Sequence, residues 1–161
     1  MNMTSPDLIK DQSNIIKKET VLFVCTGNTC RSPMCAALFN HKYAGLTRYA
    51  ISAGMSLPGN PISSNACFAL REYGVPSTKN NDYEHHLSIA LDEKMVRGAE
   101  IIIGVTSSHA MKLIMDYPAY ASKITSFKSD IFDPYGGDEE TYKFCLKKID
   151  DALKEMFTEN E

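Results

Sequence analysis

The sequence predicts one doubly wound α/β domain, in which a single parallel sheet of about four strands carries helices on both faces. Short apolar runs that favour strands alternate with segments whose apolar residues recur every three or four positions, as in amphipathic helices. The strand runs are apolar throughout, which is typical of parallel strands covered on both faces. The 161 residues suit one domain; residues 19–161 are assigned to it and residues 1–18 to a flexible N-terminal extension.

Four short runs rich in apolar and β-branched residues predict the strands. Alternation of these strands with helices implies parallel pairing through right-handed crossovers. In such sheets ligands bind beyond the carboxyl ends of the strands, and Cys25 lies at such an end. The predicted strands are residues 21–24, 49–52, 101–105 and 124–127.

Capping residues predict where the first two helices begin and end. Ser32 can cap a helix that has Pro33 at its first helical position, and this helix would run to about Gly45. Asn60-Pro61 opens the second helix. That helix ends at Gly74, because glycine suits the left-handed residue that follows a helix.

Three further helices are predicted in the second half of the chain. Asp92 caps a short one, and Thr106 or Ser107 caps the next. The latter carries Met111 and Met115, which we expect in the core. The last helix is long and amphipathic, and its apolar face consists of Tyr142, Cys145, Ile149, Leu153 and Met156.

The composition argues against several classes of function. A net charge of −3 offers neither a nucleic-acid surface nor a polybasic membrane patch. No apolar run is long enough to cross a bilayer, and the polar N-terminus does not read as a secretory signal. We therefore expect a cytoplasmic protein without nucleic-acid or membrane partners. The odd number of cysteines argues against a disulfide framework; they are Cys25, Cys30, Cys35, Cys67 and Cys145.

The most informative segment is CTGNTCRSP, residues 25–33, which lies between a buried strand and a predicted helix start. A loop that runs into a helix N-terminus points several backbone N–H groups at one place and forms an anion site. A Cys25 thiol at the bottom of that site would be stabilised as thiolate, the reactive form of cysteine. Arg31 can hold two phosphate oxygens with its planar guanidinium.

Other residues of this loop fit the same chemistry. Ser32 could donate to the Cys25 thiolate and help it to leave in a second step. Gly27 and Asn28 tolerate the left-handed conformations that a tight loop needs. The remaining candidates for phosphate binding are Thr26, Thr29 and Cys30.

Two plainer interpretations of the loop remain open. One is a buried cysteine and a surface arginine on an ordinary strand-to-helix turn, which Gly27 and Pro33 disfavour. The other is a metal site made of Cys25, Cys30 and Cys35, but zinc sites usually use more closely spaced pairs. We predict neither a metal nor a cofactor.

Residues 25–33 resemble the signature loop of the low-molecular-weight protein phosphatases. The resemblance covers nearly the whole predicted domain, including Ser52–Gly54 at the end of the second strand and His86–Ser88 in the middle of the chain. Leu87 and Ile89 stand where the family often has arginines. The resemblance implies a flavodoxin-like fold and hydrolysis of phosphorylated protein side chains through a phosphocysteine intermediate.

A phosphatase of this kind needs a carboxylic acid near the thiolate, because the leaving atom departs poorly unless it is protonated. Asp133-Pro134 lies in a loop between the last strand and the last helix, and by itself it is a common turn. The resemblance makes Asp133 the general acid, with Asp130 as a nearby rival. Tyr135 would line the pocket mouth, although a tyrosine packed on the core is an equal alternative.

Two features bear on the substrate. Thr29 stands where tyrosine-directed members of the family usually have a larger apolar residue, whereas the branch similar to protein arginine phosphatases has threonine. The segment DPYGG, residues 133–137, resembles the same branch. A threonine hydroxyl could contact a guanidinium, although Thr29 could also only cap the loop. The resemblance thus favours phosphoarginine over phosphotyrosine, with phosphorylated proteins as partners of a monomer or weak dimer.

Cys30 and the histidine pair invite further roles. The resemblance implies that Cys30 is a redox partner of Cys25, forming a reversible disulfide that shields the nucleophile from further oxidation. The alternative is an ordinary free thiol. Neighbouring side chains of an extended segment point to opposite sides, so we expect one of His85-His86 to be buried in a structural hydrogen bond rather than to bind metal.

Two other functions fit parts of the pattern. Arsenate reductases use a similar loop on a similar fold, but they need further cysteines in the middle of the chain. None lies between Cys67 and Cys145. A non-catalytic phosphate-binding module would be expected to lose Cys25, Arg31 or Asp133, and all of these are present.

Overall fold

The sheet has the predicted architecture. The computed structural model describes residues 19–158, so the predicted extension, residues 1–18, lies outside the described part. All pairings between neighbouring strands are parallel. The strands are β1 (Glu19–Cys25), β2 (Arg48–Gly54), β3 (Ile101–Gly104) and β4 (Ile124–Ser126), in the order β2-β1-β3-β4.

The helices lie on both faces of this sheet. No helix within residues 19–158 is both long and apolar enough to span a membrane. Two short 3-10 helices, Tyr83–His85 and Pro118–Lys123, were not predicted. The α-helices of the described part are α1 (Arg31–Lys42), α2 (Ser64–Glu72), α3 (Glu93–Gly98), α4 (Ser107–Asp116) and α5 (Glu139–Thr158).

The core is divided by the sheet because successive side chains of a strand point to opposite faces. Phe23 and Cys25 pack with α1, α2 and α5 on one face. Leu22 and Val24 pack with α3 and α4 on the other face. This explains why β1 is apolar at every central position, as the sequence indicated.

The chain reverses its direction of travel across the sheet beside β1. It passes from β1 outward to β2 and then returns across β1 to β3. Cys25 pairs with Gly54, so the ends of β1 and β2 are level. The carboxyl end of β1 is therefore the crevice where doubly wound folds bind ligands.

The helix α2 begins later than predicted. Its first residue is Ser64, with Ser63 as N-cap. Asn60-Pro61 does not open the helix, because Pro61 pairs with Leu87 in an isolated antiparallel bridge. The predicted end is confirmed: Gly74 directly follows the C-cap and has a φ of 89°.

The helix α4 turns a different face to the core than expected. Met111 and Met115 are 64% and 77% exposed, so placing them in the core was wrong. They share one side of the helix, and the opposite side is buried against the sheet. The cap is Thr106, and the buried residues of α4 are His109, Ala110 and Leu113.

Candidate active site

The loop between β1 and α1 surrounds the sulfur of Cys25. Cys25 is the last residue of β1 and only 2% exposed, and α1 starts at Arg31. The backbone N–H of Asn28 donates to the Cys25 Sγ at 3.2 Å. The Ser32 Oγ lies 2.9 Å from the same sulfur. The prediction that Ser32 is the N-cap of α1 was therefore wrong. Ser32 lies inside the helix and contacts the thiol.

Asn28 ties this loop to its surroundings. It is fully buried and has a φ of 56°, a left-handed conformation that asparagine tolerates. Gly27, expected to share this conformation, has no positive φ. The Asn28 side-chain amide donates to Ser32 Oγ at 2.8 Å and to Ser52 Oγ at 2.9 Å, and its oxygen accepts the N–H of Ile89 at 2.8 Å. Because Ser32 Oγ accepts here, its own hydrogen remains free to point at the Cys25 sulfur.

Three loop carbonyls accept hydrogen bonds from segments outside the loop, at 2.8–2.9 Å. The C=O and N–H of a trans peptide point in opposite directions, so the N–H after each of these carbonyls faces the inside of the loop. These inward N–H groups belong to Gly27, Thr29 and Cys30. The outward pairs are Thr26 C=O with Met55 N–H, Asn28 C=O with His86 Nε2, and Thr29 C=O with Ser63 N–H.

His86 is a supporting residue whose partner the sequence did not indicate. Its Nε2 donates to the Asn28 carbonyl at 2.8 Å. Burial lowers the pKa of His86, and the contact with that carbonyl opposes the shift. His85 is exposed and bonds to Asp82 at 2.8 Å. His86, which is half-buried, thus makes the expected structural hydrogen bond, and that bond holds the loop that follows β1.

Gly54 allows the loop to lie against the end of β2. A Cβ at this position would be 2.8 Å from the Asn28 Cβ and 2.9 Å from the Thr26 carbonyl oxygen. Real side chains do not approach so closely, so any larger residue would displace the loop. The presence of glycine at the end of the second strand is therefore explained by the lack of space for a side chain.

Arg31 and Asp133 face each other at the edge of the loop. The Arg31 side chain is 9% exposed, and its Nη1 donates to the Ile131 carbonyl at 3.1 Å. Its Nη2 lies 3.7 Å from the Asp133 Oδ2. Asp133 is 57% exposed and also accepts the N–H of Tyr135 at 3.1 Å. The guanidinium is thus fixed, and the carboxylate lies on an accessible loop beside it.

Asp130, the rival carboxylate, has a different partner. It accepts the N–H of Ser107 at the start of α4 at 2.8 Å. It does not line the cavity that contains Cys25 and Asp133. Its position is that of a helix-capping residue.

The predicted site residues other than Ser32 line one small cavity. Its volume is about 220 Å³. Tyr135 is 80% exposed and lies at the mouth, not on the core. A wider groove of about 1310 Å³ adjoins this cavity and shares Gly27, Thr29 and Tyr135 with it. The cavity is lined by residues 25–31 together with Asp133 and Tyr135.

Cys30 contacts the C-terminal helix. Its Sγ lies 3.2 Å from the Tyr142 hydroxyl and 3.8 Å from the Thr29 hydroxyl. Burial and this contact raise the pKa of Tyr142 to about 12.

All cysteines are free thiols, and no group of three or more metal-binding side chains forms within residues 19–158. Cys35 lies in α1, where burial raises its pKa.

Sequence comparison finds phosphatases and an arsenate reductase among the relatives of the chain. The family model "Low molecular weight phosphotyrosine protein phosphatase" matches residues 20–161. A protein-arginine-phosphatase of Bacillus subtilis is 30% identical over 146 residues, which are 84% of this chain and 93% of that protein. An arsenate reductase of Brevibacillus brevis is 31% identical over 107 residues, which are 66% of this chain and 72% of that protein.

Solved structures agree with the family model. A low molecular weight protein tyrosine phosphatase from T. tengcongensis has a TM-score of 0.75 and 36% identity, covering 86% of this chain and 97% of that one. A YwlE arginine phosphatase mutant with a phosphorylated active-site serine has a TM-score of 0.75 and 28% identity, covering 85% and 92%. The predicted resemblance and fold are thereby confirmed, and the chain belongs to the low molecular weight phosphotyrosine protein phosphatase family.

Proposed function

We propose that the protein hydrolyses phosphorylated side chains of cytoplasmic proteins through a phosphocysteine intermediate. In this proposal Cys25 is the nucleophile, Arg31 the phosphate clamp and Asp133 the general acid. The observation that carries it is the cavity of about 220 Å³ that all of these residues line. The related arginine phosphatase with a phosphorylated active-site serine supports a covalent intermediate.

In the first step the Cys25 thiolate attacks phosphorus. An S–P bond forms while the bond from phosphorus to the leaving oxygen or nitrogen breaks. Asp133 transfers its proton to the leaving atom. Arg31, already held by the Ile131 carbonyl at 3.1 Å, and the inward N–H groups of the loop stabilise the negative charge on the equatorial oxygens.

In the second step water attacks the phosphocysteine. The Asp133 carboxylate accepts a proton from the water as the new O–P bond forms. The S–P bond breaks, and Cys25 leaves as thiolate. The Ser32 hydroxyl at 2.9 Å and the Asn28 N–H at 3.2 Å stabilise the departing sulfur, and inorganic phosphate is released.

Turnover of p-nitrophenyl phosphate tests these roles. Cys25→Ser should still bind phosphate but lose turnover. Asp133→Asn should lower kcat by about 10²–10⁴, the usual contribution of a general acid. Asp130→Asn is the matched control, because its carboxylate lies outside the cavity, and it should retain nearly full activity. Full activity of Cys25→Ser would overturn the catalytic assignment.

The proposal extends to phosphoarginine as the substrate. Thr29 is half-buried and lines both the small cavity and the adjoining groove, where a leaving group would pass. Its hydroxyl can accept a hydrogen bond from a guanidinium N–H, whereas an apolar side chain could only pack. The relatives named protein-arginine-phosphatase support the same preference.

Matched peptides carrying phosphoarginine or phosphotyrosine test this preference at equal concentration. The wild type should have the higher kcat/KM on phosphoarginine. Thr29→Ile should shift the ratio toward phosphotyrosine by about fivefold, the worth of one hydrogen bond of about 1 kcal/mol. Thr29→Ser keeps the hydroxyl and serves as control. An unchanged ratio in Thr29→Ile would exclude this role of the hydroxyl.

Arsenate reduction is the second candidate, because an arsenate reductase is among the relatives. Such an activity needs further cysteines to pass electrons, and the chain has none between Cys67 and Cys145. We expect no arsenate turnover in the presence of thioredoxin and its reductase. Arsenate turnover by the wild type that disappears in Cys25→Ser would replace the phosphatase assignment with that of an arsenate reductase.

Redox protection by Cys30 is also part of the proposal. Peroxide would oxidise the Cys25 thiolate to a sulfenic acid, and the Cys30 thiol would displace water to form the disulfide. Cys30 must leave the Tyr142 hydroxyl to do so. Peptide mapping after mild peroxide should show a Cys25–Cys30 link, and sulfinic acid alone at Cys25 would exclude it.

A further inference from the structure

The start of α4 lies unusually close to the end of β3. A Cβ at Gly104 would be 2.6 Å from the backbone nitrogen of Ala110 and 2.9 Å from the Cβ of His109. Only glycine leaves room for this approach. The consequence is that His109, which is 8% exposed, is turned toward the phosphate loop.

Both ring nitrogens of His109 are occupied by threonine hydroxyls. Nε2 lies 2.9 Å from the Thr26 Oγ1, and Nδ1 lies 2.7 Å from the Thr106 Oγ1. The Thr106 oxygen already accepts the backbone N–H of His109 at 3.2 Å, so its hydrogen can be donated to Nδ1. A neutral imidazole that accepts at Nδ1 carries its proton on Nε2. On this basis we assign the bonds in the direction from Thr106 through His109 to Thr26.

Thr26 is the residue that directly follows the nucleophile and lines the small cavity. Its carbonyl accepts the N–H of Met55 at 2.9 Å, on the side of β2. Its hydroxyl accepts from His109, on the side of β3. The first peptide of the loop is thus held from two sides, and the Thr26 hydroxyl hydrogen remains available to the cavity.

We propose that His109 is a positioning residue, which fixes Thr26 so that its hydroxyl and its peptide face the phosphoryl group. His109 acts through Thr26 and does not touch the reacting atoms. The inference rests on the proposed phosphatase function, and it adds a residue from the far side of the sheet to that site.

The charged groups that face His109 are Arg31, Asp130 and Asp133. Burial first and then the Arg31 guanidinium lower the pKa of His109, while the two carboxylates oppose the shift. The neutral ring that the bond directions require is therefore the favoured form at neutral pH. A phosphate dianion bound to Arg31 would offset the guanidinium charge, so occupancy of the cavity should raise the pKa of His109.

Two substitutions separate the contacts of the ring. Glutamine places its amide nitrogen near the position of Nε2, and asparagine can place its amide oxygen near Nδ1, where it accepts from the Thr106 hydroxyl. His109→Gln therefore keeps the donor to Thr26, whereas His109→Asn keeps only the contact to Thr106. His109→Asn should lower kcat/KM for p-nitrophenyl phosphate by about fivefold, the worth of one neutral hydrogen bond. His109→Gln should retain most of the wild-type kcat/KM.

A double-mutant cycle with Thr26→Val links the effect to the proposed partner. In the Thr26→Val background, His109→Asn should cause no further loss, because the bond is already absent. Effects that multiply, or a His109→Gln variant as impaired as His109→Asn, would overturn the proposal. Thermal unfolding of each variant shows that the comparison is made on folded protein.

A measurement on the wild type avoids substitutions altogether. Ring signals of labelled histidine give the pKa of His109 by NMR titration, with His109→Gln to assign the signal. Inorganic phosphate should raise this pKa and leave that of the exposed His85 unchanged. An unchanged His109 would overturn the inference. This readout needs no turnover, so it is distinct from failure of the phosphatase assignment, which Cys25→Ser activity reports.

Discussion

Replacing Asn28 with alanine should strongly destabilise the protein, because this side chain joins three segments in the interior. Its amide makes hydrogen bonds to Ser32, Ser52 and Ile89, all between 2.8 and 2.9 Å. At about 1 kcal/mol each, their loss lowers the free energy of unfolding by about 3 kcal/mol. Holding alanine in the left-handed region costs about 1 kcal/mol more. The expected total is about 4 kcal/mol.

Two further variants divide this total into its parts. Asn28→Gly loses the same hydrogen bonds but accepts the φ of 56° without strain, so its loss should be about 3 kcal/mol. Ser52→Ala removes one acceptor and should lose about 1 kcal/mol. The order of stability is therefore Ser52→Ala, then Asn28→Gly, then Asn28→Ala.

Urea unfolding followed by circular dichroism measures these differences. In thermal unfolding of a chain of this length, a loss of about 4 kcal/mol corresponds to a drop in Tm of about 8–16 °C. Turnover measured well below the transition should also fall. The lost side-chain bonds hold the loop in place, and the backbone N–H of residue 28 in that loop contacts the Cys25 sulfur. The reasoning is refuted if Asn28→Ala lies within about 1 kcal/mol of wild type, or if Ser52→Ala is equally damaging.

Two other perturbations follow from the packing and the buried charge. Gly54→Ala should lower the free energy of unfolding by about 1–3 kcal/mol, because the new Cβ would lie 2.8 Å from the Asn28 Cβ. Gly98→Ala, whose Cβ would meet nothing within 4 Å, is the control in urea unfolding, and equal effects of the two would contradict the steric argument. Asp150→Asn should lose about 2 kcal/mol at pH 7, because the buried carboxylate accepts bonds from Lys42 at 2.8 Å and from two tyrosine hydroxyls. Burial by itself would raise the pKa of Asp150, but those bonds hold it below its ordinary value, so the stabilisation is present above a pH of about 4 and is lost as pH falls through the folded pKa. Unfolding curves of variant and wild type should therefore converge in acid, and a constant difference down to low pH would refute this origin.

The sheet and the position of Cys25 at the end of β1 were predictable because their signals are local. An apolar run that ends at Cys25, followed by a turn and a helix start, needs no knowledge of the rest of the chain. The caps Asp92 and Thr106 were predictable for the same reason, since each accepts an N–H three residues further on. Ser32 was misassigned because a serine before proline has the pattern of a cap, while its actual partner is the Cys25 thiol.

The face of α4 was not predictable from its own pattern. Apolar residues occur on both sides of this helix, so the spacing does not say which side is buried. The decision is made by contact with another element: Gly104 admits the N-terminal turn to the end of β3, and the side that carries His109 packs inward. Met111 and Met115 are then left in solvent.

The supporting residues of the loop were missed for a physical reason that applies to any phosphate loop. N–H groups reserved for the substrate must face inward, so the carbonyls of the same peptides face outward and need donors from elsewhere. The sequence requires such donors but does not say which residues they are: His86, the donor to the Asn28 carbonyl, lies 58 positions from it. His109, which contacts the Thr26 side chain and not a carbonyl, lies 83 positions from Thr26. Only the sheet order, which brings the segments after β2 and β3 to the end of β1, selects them. The roles of these histidines are therefore consequences of topology, and variants at His86 and His109 should alter the loop although neither residue belongs to the signature segment.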